Sequence, residues 1–443
     1  MKIQLSDHFT YKKLLTFTLS PIAMMIFTSI YSVVDGYFVS NYAGKTPFAA
    51  LNLIYPFIMI LSGIGFMFGS GGSALIAKSL GEKQNEKANM QFSLIVYTSI
   101  VFGIALAALG LLFIRPVAML MGAEGKMVDM CVLYGSILLT SLPFFVLQFE
   151  FQSLFITAEK PNIGFWATVA SGCTNMVLDW LFIAVFEWGL TGAAVATALA
   201  QVVGGVIPLV YFSRKNTSLL RLSPTIFDGR TLLKTFTNGS SELMSNISMS
   251  LVGMLYNIQL LKYAGENGVA AYGVLMYVSM IFIAVFIGYS AGTAPVISYH
   301  FGAKNHTELK SLLKRSSALI SVSSVLMLIA GIALAKPLSL LFVGYDRGLY
   351  ELTLRGFFIY SFSFLFAGFS IFGSSFFTAL NDGLTSAVIS FLRTLVFQVA
   401  AILILPVWFK TDGIWLSLAV AEALSVAVTF IFILLKRKKY KYM

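Results

Sequence analysis

Apolar runs of twenty residues or more follow one another along nearly the whole chain, and each is long enough to cross a hydrocarbon layer about 30 Å thick as a helix. In lipid no water is available to backbone groups, so a spanning chain folds either as helices or as a closed barrel. The alternating pattern of barrel strands is missing here. Spans are expected at roughly 12–41, 46–78, 88–115, 127–157, 162–187, 190–213, 231–263, 268–300, 310–335, 349–379, 384–409 and 413–435. Composition points the same way, since 58% of the residues are hydrophobic and 11% charged, with a mean hydropathy of +0.85. That leaves too little polar surface for a water-soluble globule of 443 residues. Lys12 and Lys13 lead straight into the first span with no small-residue cleavage site, so this span is expected to stay in the protein.

Twelve crossings put both termini on one side of the membrane. Most of the 30 Lys and Arg residues fall on the termini and the even-numbered connections, and Arg393 alone falls inside a span. The basic side is expected to be cytoplasmic. The net charge of +11 is therefore a matter of orientation and of anionic lipid, concentrated in the tail "KRKKYKYM", and no nucleic-acid partner is expected. Cys131 and Cys173 read as small apolar fillers rather than a disulfide. With three His, no phosphate-binding loop and no nucleophile beside a base, the chain is not expected to be an enzyme or to need a cofactor.

The polar, basic stretch "SRKNTSLLRLSPTIFDGR" at 213–230 reads as a linker between two halves. A shift of 221 residues then aligns those halves without a gap. It pairs "NYAG" (41–44) with "KYAG" (262–265), Gly81 with Gly302, "YGS" (134–136) with "RGF" (355–357), "SLFITA" with "SSFFTA", and Gly192 with Gly413. Six helices followed by six in the same orientation form a parallel repeat, with the ligand cavity between the two bundles near the midplane. The expected organisation is an amino-terminal lobe at 1–213, a cytoplasmic linker at 214–230 and a carboxy-terminal lobe at 231–443.

The repeat also serves as an internal control. At the same shift Asp35 meets Tyr256, Glu150 meets Ile371, Asn175 meets Val396 and Asp179 meets Ala400, so the first half alone carries this acidic set. An Asp at the centre of a span costs roughly 2.5–3.5 kcal/mol on insertion scales, which makes a functional role the default reading. Asn175 and Asp179, at i and i+4, share a helix face. With Asp35 and Thr197 they offer hard oxygen donors, which suit a proton or Na⁺ and not zinc or copper. Glu150 reads as a wetter residue near a cavity mouth. Glu242 and Glu422 lack acidic mates; Glu242 is an alternative coupling site, and Glu422 is expected to pair structurally with Arg393. Pro21 should permit a kink in the first span. The glycines of "SGIGFMFGSGG" (62–72) read as close helix packing. Tyr272, Met276 and Met280 form a stripe able to line a forgiving cavity.

The stretches "SIYSVVDGYFVSNYAGKTPFAALNLIYPF", "SGGSALIAKSLGEKQNEKA", "EKPNIGFWATVASGCTNMVLDWLFI" and "GLTGAAVATALAQ" together resemble the multidrug and toxic compound extrusion (MATE) family, in its DinF-like branch. The resemblance covers essentially the whole chain. It implies an all-α integral membrane protein with 12 transmembrane helices in two pseudo-symmetric six-helix bundles arranged as a V. It also implies a secondary multidrug antiporter that exchanges H⁺, or Na⁺, for amphipathic organic cations. Carried over residue by residue, the coupling site is Asp35, Asn175, Asp179 and Thr197, which would also hold Na⁺, and Glu150 is the acidic partner of Asp179. The expected substrate contacts are Glu150, Asp179, Tyr31, Tyr256, Met276 and Met280. The expected partners are the lipid bilayer and small cationic lipophilic drugs or dyes, for a monomer in a bacterial plasma membrane with both termini cytoplasmic. The rival reading is a flippase for lipid-linked oligosaccharides, which would need free cationic groups for a pyrophosphate.

Overall fold

The structure is a computed structural model that describes residues 3–43 and 45–443; Met1, Lys2 and Gly44, the glycine of the "NYAG" landmark, lie outside the described residues. Among the described residues every regular element is helical. The first half holds α1 (Tyr11–Phe38), α2 (Lys45–Gly81), α3 (Asn85–Leu120), α4 (Lys126–Thr157), α5 (Pro161–Asp179) and α6 (Gly189–Ser213). The second holds α7 (Gly229–Gly302), α8 (His306–Val343), α9 (Arg347–Ser361), α10 (Phe364–Ala379), α11 (Gly383–Phe391) and α12 (Gln398–Tyr440). π-helical segments follow α1 at Val39–Ala43, α5 at Trp180–Val185 and α11 at Leu392–Phe397.

Nine of these helical stretches among the described residues are long and apolar enough to cross a membrane, ten when α9 and α10, bent by 47°, are taken as one span. Two of them are broken once each, α7 at Gly265 and α12 at Lys410, where φ is 63° and 52°. Those breaks fall in two of the expected connections, consistent with twelve crossings. Left-handed turns recur at the repeat's own offset: Lys83 (φ 60°) is matched by Lys304 (φ 54°), and Gly189 (φ 54°) by Lys410 (φ 52°). The repeat is thus written into the backbone as well as the sequence. Large apolar side chains such as Leu112, Leu120, Leu341 and Val407 stand on the outer surface, where lipid solvates them.

Three apolar cores hold the helices. One draws on both halves, with Leu5, Phe9, Phe92 and Phe155 packed together with Ile297, Leu309, Phe376 and Tyr442. A second contains only first-half residues, among them Ile54, Leu138 and Ile183, and a third only second-half residues, among them Tyr256, Leu349 and Trp415. The halves therefore merge at the end of the molecule that carries both chain termini and separate toward the other end. Glycines make the merger possible. The expected packing role of the 62–72 glycines holds, because Gly65 and Gly69 lie on the backbone of α4 at Val146 and Glu150 while Gly71 lies on α7 at Thr235 and Gly239. The repeat mates Gly81 and Gly302 do the same, Gly81 against Tyr299 and Gly302 against Lys78. On the far sides of the halves, a Cβ at Gly36, Gly253 or Gly273 would meet nothing within 4 Å.

The chain between α6 and α7 docks on α3: the N–H of Arg221 donates to Asn89 Oδ1 (2.8 Å), that of Ser223 to Ser93 Oγ (2.9 Å), and the Thr225 hydroxyl to the Met90 carbonyl (2.9 Å). The inner end of α11 is fixed to the chain's tail. Asp382 caps α11 through Thr385 N–H (3.4 Å) and accepts from the Tyr440 hydroxyl (2.8 Å), with Lys436 at 3.2 Å. Burial raises this carboxyl's pKa, yet Tyr440, Thr385 and Lys436 together outweigh it and hold Asp382 below the usual carboxylate range.

Replacing Gly81 or Gly302 by Ala puts a methyl group into the facing backbone, and each change is expected to cost about 1–3 kcal/mol. Lower melting temperatures of both purified variants, against an unaffected Gly253→Ala, are the outcome to check. Because the Asp382 pKa is depressed in the folded state, its contribution is present above the unfolded carboxylate pKa and is lost as pH falls through the folded value. Asp382→Asn should therefore lower the melting temperature at neutral pH and bring it closer to that of the parent in acid.

Candidate functional site

The first half's polar site is assembled from five helices. α1 brings Tyr31 and Asp35, α2 brings Tyr55, α4 brings Tyr134 and Gln148, α5 brings Asn175 and Asp179, and α6 brings Thr197. On α5 the spacing of four puts Asn175 and Asp179 on one buried face, 2% and 0% exposed. The Asn175 Nδ2 amide donates to Thr197 Oγ1 at 3.3 Å, and Asn175 Oδ1 is buried without a donor among the described residues. The carboxyl of Asp35 faces that of Asp179 and the Asn175 side chain. Tyr134, 1% exposed, sets its hydroxyl beside Thr197 and within the field of both aspartates, and Tyr31 faces Gln148.

π-helical segments begin immediately after Asp179 and four residues after Asp35. A π turn shifts helical register locally and re-aims nearby side chains, a feature concentrated at functional sites.

The electrostatics of this pair differ from those of an ordinary buried ion pair. Asp35 Oδ1, both carboxyl oxygens of Asp179, and Asn175 Oδ1 are buried with no hydrogen-bond donor among the described residues. Carboxylates, once ionised, are acceptors only, so two that face each other are satisfied by a shared proton or by a cation. Among the described residues no Lys or Arg acts on either aspartate. The oxygens of Asp35, Asp179, Asn175 and Thr197 are all hard donors of the kind an alkali cation takes.

Glu150 departs from expectation in two ways. It is 0% exposed rather than at a wet cavity mouth, and its Oε2 accepts a short hydrogen bond from the Ser99 hydroxyl of α3. The acidic partner of Asp179 is Asp35, and Glu150 stands apart from them between α2, α3 and α4. The reason is depth: α4 runs antiparallel to α1 and α5, so a residue late in α4 lies near the terminal end while residues late in α1 and α5 lie toward the other.

The second half places its predicted residues differently. Tyr256 is 2% exposed, its hydroxyl bonds Ser417 (2.8 Å), and its ring stacks on Tyr272 with centroids 5.1 Å apart and planes 1° apart. Tyr256 thus sits in that half's core and not beside its repeat mate Asp35. Met276 is half-buried, and Met280 is exposed, with its carbonyl near the Ser29 hydroxyl of α1 (3.5 Å). Arg393 donates through Nε to Glu422 Oε1 and Oε2 at 3.0 and 2.9 Å, and its Nη2 lies 2.9 Å from Oε1, the structural pair the sequence suggested. Glu242, half-buried, lies in the field of Arg393.

A family model described as MatE matches the chain twice, at residues 21–181 and 243–404. The chain belongs to the MatE family. It is 24% identical over 430 residues to the multidrug export protein MepA of Staphylococcus saprophyticus, covering 94% of this chain and 91% of that protein. To MepA of Staphylococcus aureus strain MRSA252 it is 25% identical over 416 residues, again covering 94% and 91%. Among solved structures it resembles a MATE protein in complex with MaL6, with TM-score 0.93 and 22% identity over 98% of each chain. It also resembles the outward-facing conformation of a multidrug resistance MATE transporter of the MOP superfamily, with TM-score 0.92 and 22% identity over 98% of each. This MatE member is accordingly a multi-pass membrane transporter and not an enzyme. The twin match restates the internal repeat, one copy in each half.

Tyr55, Tyr134 and Gln148 escaped the reading of the sequence. Their repeat mates are Met276, Arg355 and Phe369, so the one available signal was a polar group whose mate carries no matching group.

Removing one partner of the Arg393–Glu422 pair strands a buried charge, and Arg393→Ala is expected to cost about 3–5 kcal/mol. Asp35→Asn and Asp179→Asn instead relieve two facing acceptors, and both are expected to melt at or above the parent's temperature in Na⁺-free buffer. Thermal unfolding of the three purified variants checks this contrast.

Proposed function

We propose that this MatE transporter is a secondary antiporter that exports amphipathic organic cations across a bacterial plasma membrane in exchange for H⁺ or Na⁺. The observation that carries the reading is the facing pair Asp35 and Asp179, in which Asp35 Oδ1 and both Asp179 oxygens are buried without a donor and no basic side chain among the described residues neutralises them. The relatives' name, multidrug export protein, supports the choice of cargo.

The chemistry follows from competition for one negative site. With both aspartates free of H⁺ or Na⁺, the site attracts an organic cation, and the rings of Tyr31, Tyr55 and Tyr134 offer π faces to it. Arrival of H⁺ or Na⁺ neutralises the pair and removes that attraction, so the cargo is released. Two ligands that exclude each other at one site give exchange when the site is exposed to the two sides in turn. Asn175 and Thr197 hold the aspartates' surroundings rigid and complete the oxygen set for Na⁺. Glu150, held by Ser99, is a second protonatable group deeper toward the terminal end, and Glu242 is the corresponding candidate in the second half. Met276 and Met280 remain candidate cargo contacts, and Tyr256 is a core residue that would reach cargo only by repacking.

The same proposal takes residues 1–213 and 231–443 as two lobes joined by a linker at 214–230, acting as a monomer with both termini cytoplasmic. The basic residues around the terminal end support that orientation. A flippase reading is disfavoured because Arg393, the basic group within the spans, is already bound by Glu422 and does not offer its charge to a pyrophosphate.

The test uses proteoliposomes loaded with a cationic dye, with a pH gradient and a Na⁺ gradient imposed separately. One gradient is expected to drive dye movement in the parent, and Asp35→Asn and Asp179→Asn should each reduce the driven rate at least about tenfold. Undiminished gradient-driven transport in both variants would overturn the assignment.

A further inference from the structure

The stretch ahead of α1 is a short non-helical segment, with a turn closed by the Asp7 N–H on the Gln4 carbonyl (3.1 Å), and it has an unusual set of anchors. Leu5 and Phe9 are 0% exposed and belong to the core shared by both halves. The Leu5 N–H donates to Glu159 Oε1 at 2.8 Å, and Glu159 lies in the turn between α4 and α5 of the first half. Four residues on, the Phe9 N–H donates to Glu308 Oε1 at 2.9 Å, and Glu308 stands in the first turn of α8 in the second half. His8 Nδ1 donates to the other oxygen of Glu308 at 2.6 Å. Arg315 of α8 closes the set, donating to the Phe9 carbonyl and lying over the Tyr11 ring at 5.9 Å. Asp7 is tied to Lys13 (3.1 Å).

These contacts are specific to one copy of the repeat. Glu308 is matched by Lys87 and Glu159 by Leu380, so neither acid serves the pseudo-symmetric packing of the halves. Both carboxylates are nearly buried, at 5% and 8%, and each is spent on a backbone N–H of the same short segment. A hydrogen bond from N–H to a shielded carboxylate is stronger than a neutral one, whereas the His8 contribution is weakened by that ring's exposure. The segment also lies where the halves touch most closely, beside the Gly81 and Gly302 contacts, and α1 carries it without interruption to Asp35.

We propose that residues 3–9 form a latch that holds the two halves shut at the terminal end, through Glu159 on one side and Glu308 on the other, and that releasing it is a required step in opening that end. The proposal rests on the transport reading only in needing the halves to part. A static tail would pack apolar residues on one half; this one bridges two halves that share a core only here.

The test reads the parting of α2 from α7 directly. Thr235, 0% exposed on α7 against Gly71 of α2, is replaced by Cys in a Cys131→Ala, Cys173→Ser background, and the full chain in lipid nanodiscs is reacted with a maleimide. Glu308→Ala is expected to raise the labelling rate at Thr235→Cys about tenfold, with Glu308→Gln between it and the parent. Glu159→Ala, in the other half, should do the same and gives an independent reading if Glu308→Ala folds poorly. Ser141→Cys, buried between α4 and α6 within one half, should label at an unchanged rate. Unchanged labelling at Thr235→Cys in both Ala variants, or an equal rise at Ser141→Cys, would overturn the latch. Labelling requires no cargo or coupling ion, so a failed dye-transport assay leaves this result standing and identifies the antiport reading as the one at fault.

Discussion

Lipid supplies neither donors nor acceptors, and that single deficiency governs the structure. Every backbone group within the spans must be satisfied by its own helix, which is why every regular element among the described residues is helical. Every charge there must likewise be matched or left conspicuously unmatched. In the second half Arg393 and Glu422 bind each other at hydrogen-bond distance through two nitrogens. In the first half Asp35 faces Asp179 with oxygens that no side chain serves. Two halves built on one plan thus differ in whether their acids face each other.

The apolar cores are distributed unevenly along the molecule. One core common to both halves lies at the terminal end, and two separate cores lie beyond it. Separate cores let each bundle keep its internal packing while its position against the other changes. Glycines at 71, 81, 239 and 302 bring the helices of the shared region to backbone contact, a closure that depends on shape and on small residues. The segment before α1 adds the directional bonds that shape alone lacks.

Much of this was legible in the sequence. The spans followed from apolar run length, the repeat from five landmarks at one offset, and the structural pairing of Glu422 with Arg393 from their isolation within apolar helices. Asn175 and Asp179 were placed on one face by their spacing, and Thr197 did come to Asn175. Glu150 was different. The sequence shows that an acid is present and costly, but not at which depth its antiparallel helix leaves it, and Ser99 rather than Asp179 is what it meets. Tyr256 was likewise expected among the substrate contacts, whereas packing against Tyr272 and Ser417 keeps it in the core. Tyr134 carried no signal beyond its unmatched repeat mate, because a tyrosine among apolar residues is ordinary until its hydroxyl is seen beside Thr197.

The sequence by itself determined that this chain lives in lipid, crosses it as helices, was built twice from one pattern, and set Asp35, Glu150 and Asp179 in the first copy without acidic mates in the second. These are properties of run length, period and residue type, which act locally and survive any packing. Tertiary structure decided which acids face each other, which hydroxyls stand beside them, and where the two copies close. Those outcomes depend on the rotation, depth and crossing of helices far apart in sequence, set by how side chains and glycines of one helix fit the next.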